Sequence, residues 1–376
     1  MQETRKNLLL VFWLLLTFTI SAFLNASDVD VVDDFFDDGH DAEVVAEDEK
    51  GQWVPVPIPV SNPTVGTGLQ AVLLYLHPRS NDAQHNTTSG IMGMYTDSES
   101  WATGIFHDDY WLNDRIRFTG ALGNGKFNLK FYGIGDDGII SNNPIPYEFK
   151  MNIGLLKLQT RLPGSENWYG GIQYLFLDSE TALKTSVVGP NTLDLNLKIK
   201  TAALGLLATY DTRDDNYYPT RGQWFEGKWL DYSENWGGDK EYNKSIGFYN
   251  YYLPVKDSLT LVLRSRLEAS SGDVPFFDLP TLHMGGFSRD RYRDQHTISI
   301  HAEGRYKFRP RWGVIGFYEV GWLNDDFSQL LSGRRISSYG AGLRWQVTAE
   351  KKMNLGLDAA ISTDDKAFYI QVGERF

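Results

Sequence analysis

The sequence contains no cysteine, which removes disulfide frameworks, thiolate metal sites, cysteine nucleophiles and lipid anchoring at a cysteine. Cations are also short: 36 Lys and Arg stand against 48 Asp and Glu, for a net charge of −12. A nucleic-acid partner needs clustered cations to meet its phosphates, so none is expected. Long apolar runs are missing beyond the N-terminus, and a mean hydropathy of −0.34 is too polar for a bundle of membrane-spanning helices. What the 376 residues do hold is 36 Gly, 11 Trp, 20 Tyr and 21 Phe. That composition still permits a membrane β-barrel, whose strands are apolar on one face only.

The N-terminus points to export. Arg5 and Lys6 precede the apolar stretch Leu8 to Ile20, and Asn25-Ala26-Ser27 follows, so residues 1–26 read as a signal peptide. The stretch would reach about 20 Å as a helix, short of a hydrocarbon core of roughly 30 Å. Residues 27–50 carry eleven acidic residues and one basic residue, Lys50. Such a run repels itself and buries little, and is expected to be a disordered lead-in. Its spacing does not match a calcium loop, so neither metal nor cofactor is expected. Next, Pro55, Pro57 and Pro59 alternate within Trp53–Val60, so residues 51–63 read as a rigid Pro-rich connector.

From residue 64 to 376 the chain reads as a barrel domain of sixteen segments: about 64–77, 89–98, 100–109, 112–122, 125–134, 147–162, 166–178, 198–212, 221–232, 241–253, 257–270, 295–309, 312–322, 336–348, 352–363 and 366–376. Alternation is clean in the later ones. Leu355, Leu357, Ala359 and Ile361 share one face, while Gly356, Asp358 and Ser362 share the other. A soluble sandwich would bury the apolar faces together; a membrane barrel turns them to lipid and keeps the charges inside. Tight connectors (123–125, 163–167, 255–257, 309–311) alternate with long ones (78–88, 135–146, 179–197, 271–294), as in outer-membrane barrels. Trp101, Trp111, Trp168, Trp224, Trp312 and Trp322 sit near segment ends, as an interfacial girdle requires. The expected fold is all-β, a transmembrane antiparallel β-barrel. One connector, 212–220, is long for the short-turn side.

Phe368, Ile370 and Val372 alternate outward in the last segment, and the chain stops at Phe376. A terminal aromatic on such a strand resembles the assembly signal that the barrel-assembly machinery reads, which makes that machinery an expected partner beside outer-membrane lipids. Histidines and serines are present, but no spacing marks a nucleophile elbow or a triad, and no enzyme is expected.

Asp211-Thr-Arg213-Asp214, followed by Pro219 and Gly222, resembles the D-x-R-D…P-x-x-G signature of the BamA/TamA-like outer-membrane proteins, the bacterial surface antigen family. Gly285-Gly286-Phe-Ser-Arg289-Asp-Arg291-Tyr-Arg293 resembles that family's inward-folded sixth external loop, and Gly340-Ala-Gly342-Leu-Arg344 its closing strands. The resemblance spans roughly residues 60–376. It implies a sixteen-stranded barrel in the outer membrane of a Gram-negative type envelope, with this loop between strands eleven and twelve. Two departures stand out. Between Ala26 and Thr64 there is no room for a periplasmic POTRA domain, and the loop lacks an R-G-Y/F tip. A structural or auxiliary role in envelope biogenesis or in protein or lipid transport is therefore expected. The barrel is expected either to act alone or to work beside a separate periplasmic protein that supplies the missing domains. The alternative is a passive or gated pore.

By alternation Glu303, Glu319, Arg344 and Asp358 point into the lumen. The expected arrangement folds the loop inward so that Arg289, Arg291 or Arg293 pairs with Glu319, Asp358 or Glu303, in charge-assisted bonds stronger than surface ones.

Overall fold

A computed structural model describes residues 51–78, 87–135, 138–185, 193–215, 218–346 and 354–375. The expected signal peptide (1–26), the acidic lead-in (27–50) and Phe376 lie outside the described residues. Sixteen strands follow one another: β1 (Gln52–Asn62), β2 (Gly66–Leu76), β3 (Thr88–Thr96), β4 (Trp101–Trp111), β5 (Ile116–Phe131), β6 (Ile145–Arg161), β7 (Trp168–Thr185), β8 (Leu193–Asp211), β9 (Gly222–Tyr232), β10 (Tyr242–Lys256), β11 (Leu259–Gly272), β12 (His296–Arg309), β13 (Trp312–Asn324), β14 (Arg334–Gln346), β15 (Asn354–Ser362) and β16 (Lys366–Val372). Each pairs antiparallel with the next in a single sheet that runs in chain order. β16 comes back beside β1, and among the described residues no ladder joins the two.

The two faces of the sheet explain why it curls. Leu69, Ile91, Ile105, Leu156, Leu206 and Tyr339 are exposed on the outer face, whereas Glu319, Arg344 and Asp358 are buried on the inner one. Apolar outside and charged inside is the arrangement a bilayer selects, because rolling the sheet pairs almost every backbone group within the hydrocarbon. The chain is a transmembrane β-barrel.

Two strand assignments change, and they cancel in the count. The Pro-rich segment read as a connector is β1, paired with β2 along its whole length. The segments 112–122 and 125–134 are one strand, the 16-residue β5. Its Gly123 and Gly125 do not turn the chain: they sit opposite Ile153 and Met151 on β6 in continuous register. These shifts also move the connector after β2 to the opposite end of the barrel from the one expected.

The inner wall departs from expectation as well. Along β1–β8 much of it is apolar: Ile58, Leu76, Phe149, Met151, Leu175 and Leu177 join one buried cluster, while Asp108, Thr119, Gln159, Gln173 and Thr209 are buried among these strands too. Charged residues concentrate on the inner faces of β9–β15, among them Glu226, Lys244, Glu268, Glu303, Glu319 and Asp358.

Candidate functional site

The segment between β11 and β12, residues 273–295, enters the lumen and crosses it. Its first part is fixed by Asp278, which accepts from Tyr242 Oη at 2.6 Å and Lys244 Nζ at 2.9 Å on β10. Beside it Phe276 packs edge-on against Phe131 and Tyr147, with centroids 5.3 and 5.6 Å away. Phe277 lies 5.1 Å from Phe149. Aromatic contacts of this kind add about 0.5–1.5 kcal/mol each beyond area burial, so the apolar wall of β5 and β6 holds the loop's near side.

A narrow hairpin then carries the chain inward. Thr281 and Arg293 form an isolated bridge, and Leu282 N donates to the Tyr292 carbonyl at 3.0 Å. Arg293 braces it from within, donating to the Phe276 carbonyl at 2.6 Å and to Asp290 at 2.8 Å. His283 lies between two charges: its Nε2 is 2.5 Å from Glu268 on β11, and Arg289 Nη2 reaches its Nδ1 at 2.8 Å. Arg266 Nε also donates to Glu268, at 2.7 Å.

The tip is Gly285-Gly286. Gly285 N donates to Glu319 Oε2 at 2.7 Å, and Gly286 N donates to Tyr369 Oη at 3.0 Å. Gly286 has φ +94, and a Cβ there would lie 2.9 Å from Ser362 N, so both the backbone angle and the close approach require glycine.

These partners correct the expected pairing. Glu319 is held by Gly285 N, by His301 Nδ1 at 2.8 Å, by Ser338 Oγ at 2.6 Å and by Arg375 Nη2 at 2.6 Å. Asp358 takes Arg344 in a two-pronged bond, one arm 3.0 Å long. Glu303 takes Arg305 at 2.6 Å. The loop arginines go elsewhere: Arg289 to His283, Arg291 to Asp365 at 3.4 Å, and Arg293 into its own hairpin. The displacement has a cause in the chain's end. Gly373, at φ +88, ends β16 and turns Glu374 and Arg375 into the lumen. Arg344 and Asn354 then hold Glu374, at 3.1 and 2.5 Å, and Arg375 sits 3.7 Å over the Phe317 ring. The last segment thus stops short of the predicted 376. Phe368 faces outward as expected, more than half exposed. Ile370 is half-buried and the backbone of Val372 ends β16, while Phe376 lies outside the described residues.

Ser299, His301 and Glu319 form a hydrogen-bonded chain, Ser299 Oγ meeting His301 Nε2 at 3.2 Å. All three are buried and Glu319 is already neutralised by Arg375, so the chain stiffens the wall. Among the described residues no group of His, Asp and Glu is placed to hold a metal ion.

The signature turn between β8 and β9 closes one end. Asp211 grips Arg213 at 2.8 Å, and Arg213 lies 4.1 Å over Trp224. Asp214 accepts from Thr220 N at 2.8 Å and from Arg221 N at 3.1 Å, while Gly222 takes φ +107. Tyr218 is carried under the barrel, where Lys307 sits 4.0 Å over its ring and Arg305 reaches the Pro219 carbonyl at 3.5 Å. Burial raises the Tyr218 phenol pKa well above its usual value, so it stays neutral. That inward tuck is why this connector is longer than its neighbours. The recess left beside it, lined by Tyr218, Arg305, Lys307 and Arg344, has a volume of about 10 Å³, room for roughly one water.

Barrel, lumen loop and signature turn together define a class, the membrane-spanning β-barrels with an inward-folded loop. The match to the Omp85 superfamily domain over residues 103–376 narrows it: the chain belongs to the Omp85 superfamily. Among solved structures it is similar to BamA from Haemophilus ducreyi lacking POTRA domains 1–3, at 12% identity and a TM-score of 0.59, covering 87% of this chain and 70% of that one. It is also similar to CdiB from Acinetobacter baumannii, at 12% identity and a TM-score of 0.55, covering 87% of this chain and 60% of that one. For CdiB from Escherichia coli the values are 12% and 0.57, with 88% of this chain and 63% of that one covered. At such identities the likeness is one of fold. The sequence matches no curated protein.

Proposed function

We propose that the chain is an outer-membrane barrel of a Gram-negative type envelope with a structural or auxiliary role in envelope biogenesis or in protein or lipid transport, resting in a closed state. Superfamily membership supports the envelope setting, since members are outer-membrane barrels of protein assembly or transport. The observation that carries the closed state is the docked loop: residues 280–290 are all buried, between an apolar wall on one side and a charged wall on the other. A sixteen-stranded barrel with a clear lumen conducts; this one is filled. On this reading the protein is not an enzyme, the barrel-assembly machinery inserts it, and any separate periplasmic protein meets it at the end carrying the 212–221 turn.

Planar-bilayer recording tests the proposal. The full chain should show little steady conductance, and replacing residues 276–292 with a short Gly/Ser linker should give discrete openings. Large, stable openings from the full chain would replace this reading with that of a passive pore.

A further inference from the structure

Polar side chains interrupt the outward face at the end of the barrel that carries the β4–β5 turn and, with it, the 212–221 turn. On β4, Ala102, Gly104, Phe106 and Asp108 face inward, which turns Ile105, His107, Asp109 and Trp111 outward. Ser89 on β3 sits opposite His107 and shares its face. Its Oγ stands between two imidazoles, 2.8 Å from His77 Nε2 and 2.9 Å from His107 Nδ1. Asp109 is aimed by three donors: Thr87 Oγ1 at 2.6 Å, Trp111 Nε1 at 2.5 Å and the Tyr110 backbone N at 2.9 Å. Among the described residues no Lys or Arg forms an ion pair with this carboxylate. Rings flank the cluster: Tyr75 lies 4.8 Å from both Trp53 and His77, and Trp111 stacks on Phe118 at 5.8 Å. Toward mid-barrel the outward face turns apolar, with Leu73, Ile91 and Ile105 exposed.

Hydrogen-bonding capacity decides what this face would take. A serine hydroxyl has one proton, so between two neutral imidazoles it donates to one and accepts from the other. Whichever way that chain runs, one of the far ring nitrogens, His77 Nδ1 or His107 Nε2, presents an N–H and the other a lone pair. Two residues along the strand from His107, about 6.5 Å away, stands the Asp109 carboxylate. A phosphate needs the donor; a primary ammonium needs the carboxylate, with nearby aromatic faces adding cation–π attraction. One headgroup, phosphoethanolamine, carries both groups two carbons apart. We propose that the outward face around His77, His107 and Asp109 binds the headgroup of a phosphatidylethanolamine, with the acyl chains along Leu73, Ile91 and Ile105. Asp109 takes the ammonium, and an imidazole N–H takes the phosphate. A carboxylate on the lipid-facing wall costs least near the interface, where such headgroups lie. On the outer-membrane reading above, on which this site rests, that interface belongs to the periplasmic leaflet.

Native mass spectrometry of the full chain in detergent, titrated with phosphatidylethanolamine, phosphatidylcholine or phosphatidylglycerol, tests the site. The first should bind about tenfold more tightly than the other two, the worth of one hydrogen bond to a charged group. The choline nitrogen has no N–H to give Asp109, and the glycerol headgroup has no cation. Asp109→Asn should erase the preference. His77→Phe with His107→Phe keeps the rings but removes the phosphate donor, and should weaken all three lipids. Glu180→Gln, near the opposite end on β7, should change nothing. Equal binding of the three lipids, or a preference that survives Asp109→Asn, overturns the site. If the substituted barrels fail to assemble, the ranking of the three lipids on the unmodified chain decides. Envelope fractionation reads the outer-membrane setting separately: a chain found there without the lipid preference overturns the site alone.

Discussion

Removing the Glu319 carboxylate should be among the most damaging single changes in the lumen. Its two oxygens satisfy four groups, from the loop tip, β12, β14 and the chain's C-terminal end, and the side chain is fully buried. Glu319→Ala removes the carboxylate that Arg375 bonds directly and leaves the buried guanidinium with the Phe317 ring and the charges of Asp358 and Glu303. Breaking a buried pair from one side costs about 3–5 kcal/mol. The orphaned Gly285 N–H adds about 1–3 kcal/mol unless water reaches it. Glu319→Gln keeps an acceptor and should lose only about 1.5–3 kcal/mol, the worth of hydrogen bonds to a charged group. Arg375→Met should cost an amount similar to Glu319→Ala, and the double variant should fall short of the sum by at least about 2 kcal/mol, because each single change strands the other member of one buried pair and the double change strands neither. Urea unfolding from lipid vesicles, followed by tryptophan fluorescence, gives these differences. Additive losses, or a Glu319→Ala barrel within about 0.5 kcal/mol of the parent, an ordinary surface effect, would refute the idea that Glu319 joins loop and C-terminus.

Three further outcomes are expected. Gly222→Ala puts a methyl 2.2 Å from the Thr212 carbonyl oxygen and should sharply lower the yield of heat-modifiable barrel, whereas Gly93→Ala, with nothing within 4 Å, should leave it unchanged. Phe276→Ala with Phe277→Ala removes the aromatic anchor on β5 and β6, and should raise protease cleavage in residues 273–295 several-fold while the strands stay intact. Deleting Phe376 should reduce outer-membrane levels with export unaffected; normal levels would count against an assembly signal at this end.

The later strands were legible because they alternate between two chemically different faces. In β12 every second residue from Thr297 to Lys307 is polar, and in β13 and β15 the outward apolar residues keep period two, which fixes the side that Glu319 and Asp358 take. β1 was hidden by its prolines, which exclude a central strand but suit an edge whose donors are not needed. β5 was split because Gly123 and Gly125 look like a turn, although both lie flat in the ladder. The large apolar cluster on the inner wall of β1–β8 was not foreseen: where a strand carries apolar residues on both faces it loses the contrast that marks inside from outside.

Within the site, inward carboxylates and an Arg-rich loop could be read from the chain, but their partners could not. Pairing depends on barrel register and on the path of the loop, both set by long-range contacts. The missed residues, Glu268, His283, Glu374 and Arg375, divide in two. For the first pair nothing local signals a contact across the lumen. For the second, Gly373 was a visible sign that the last strand stops before the chain does, since a glycine at φ +88 turns the backbone inward.

Amide hydrogen exchange across residues 280–294 in the assembled barrel tests most directly whether the loop is docked in the lumen. Protection of that segment should approach that of β12 and β13 and exceed by orders of magnitude that of the exposed connector 325–329. Exchange in 280–294 as fast as in that connector would mean that the loop lies outside and the lumen is open.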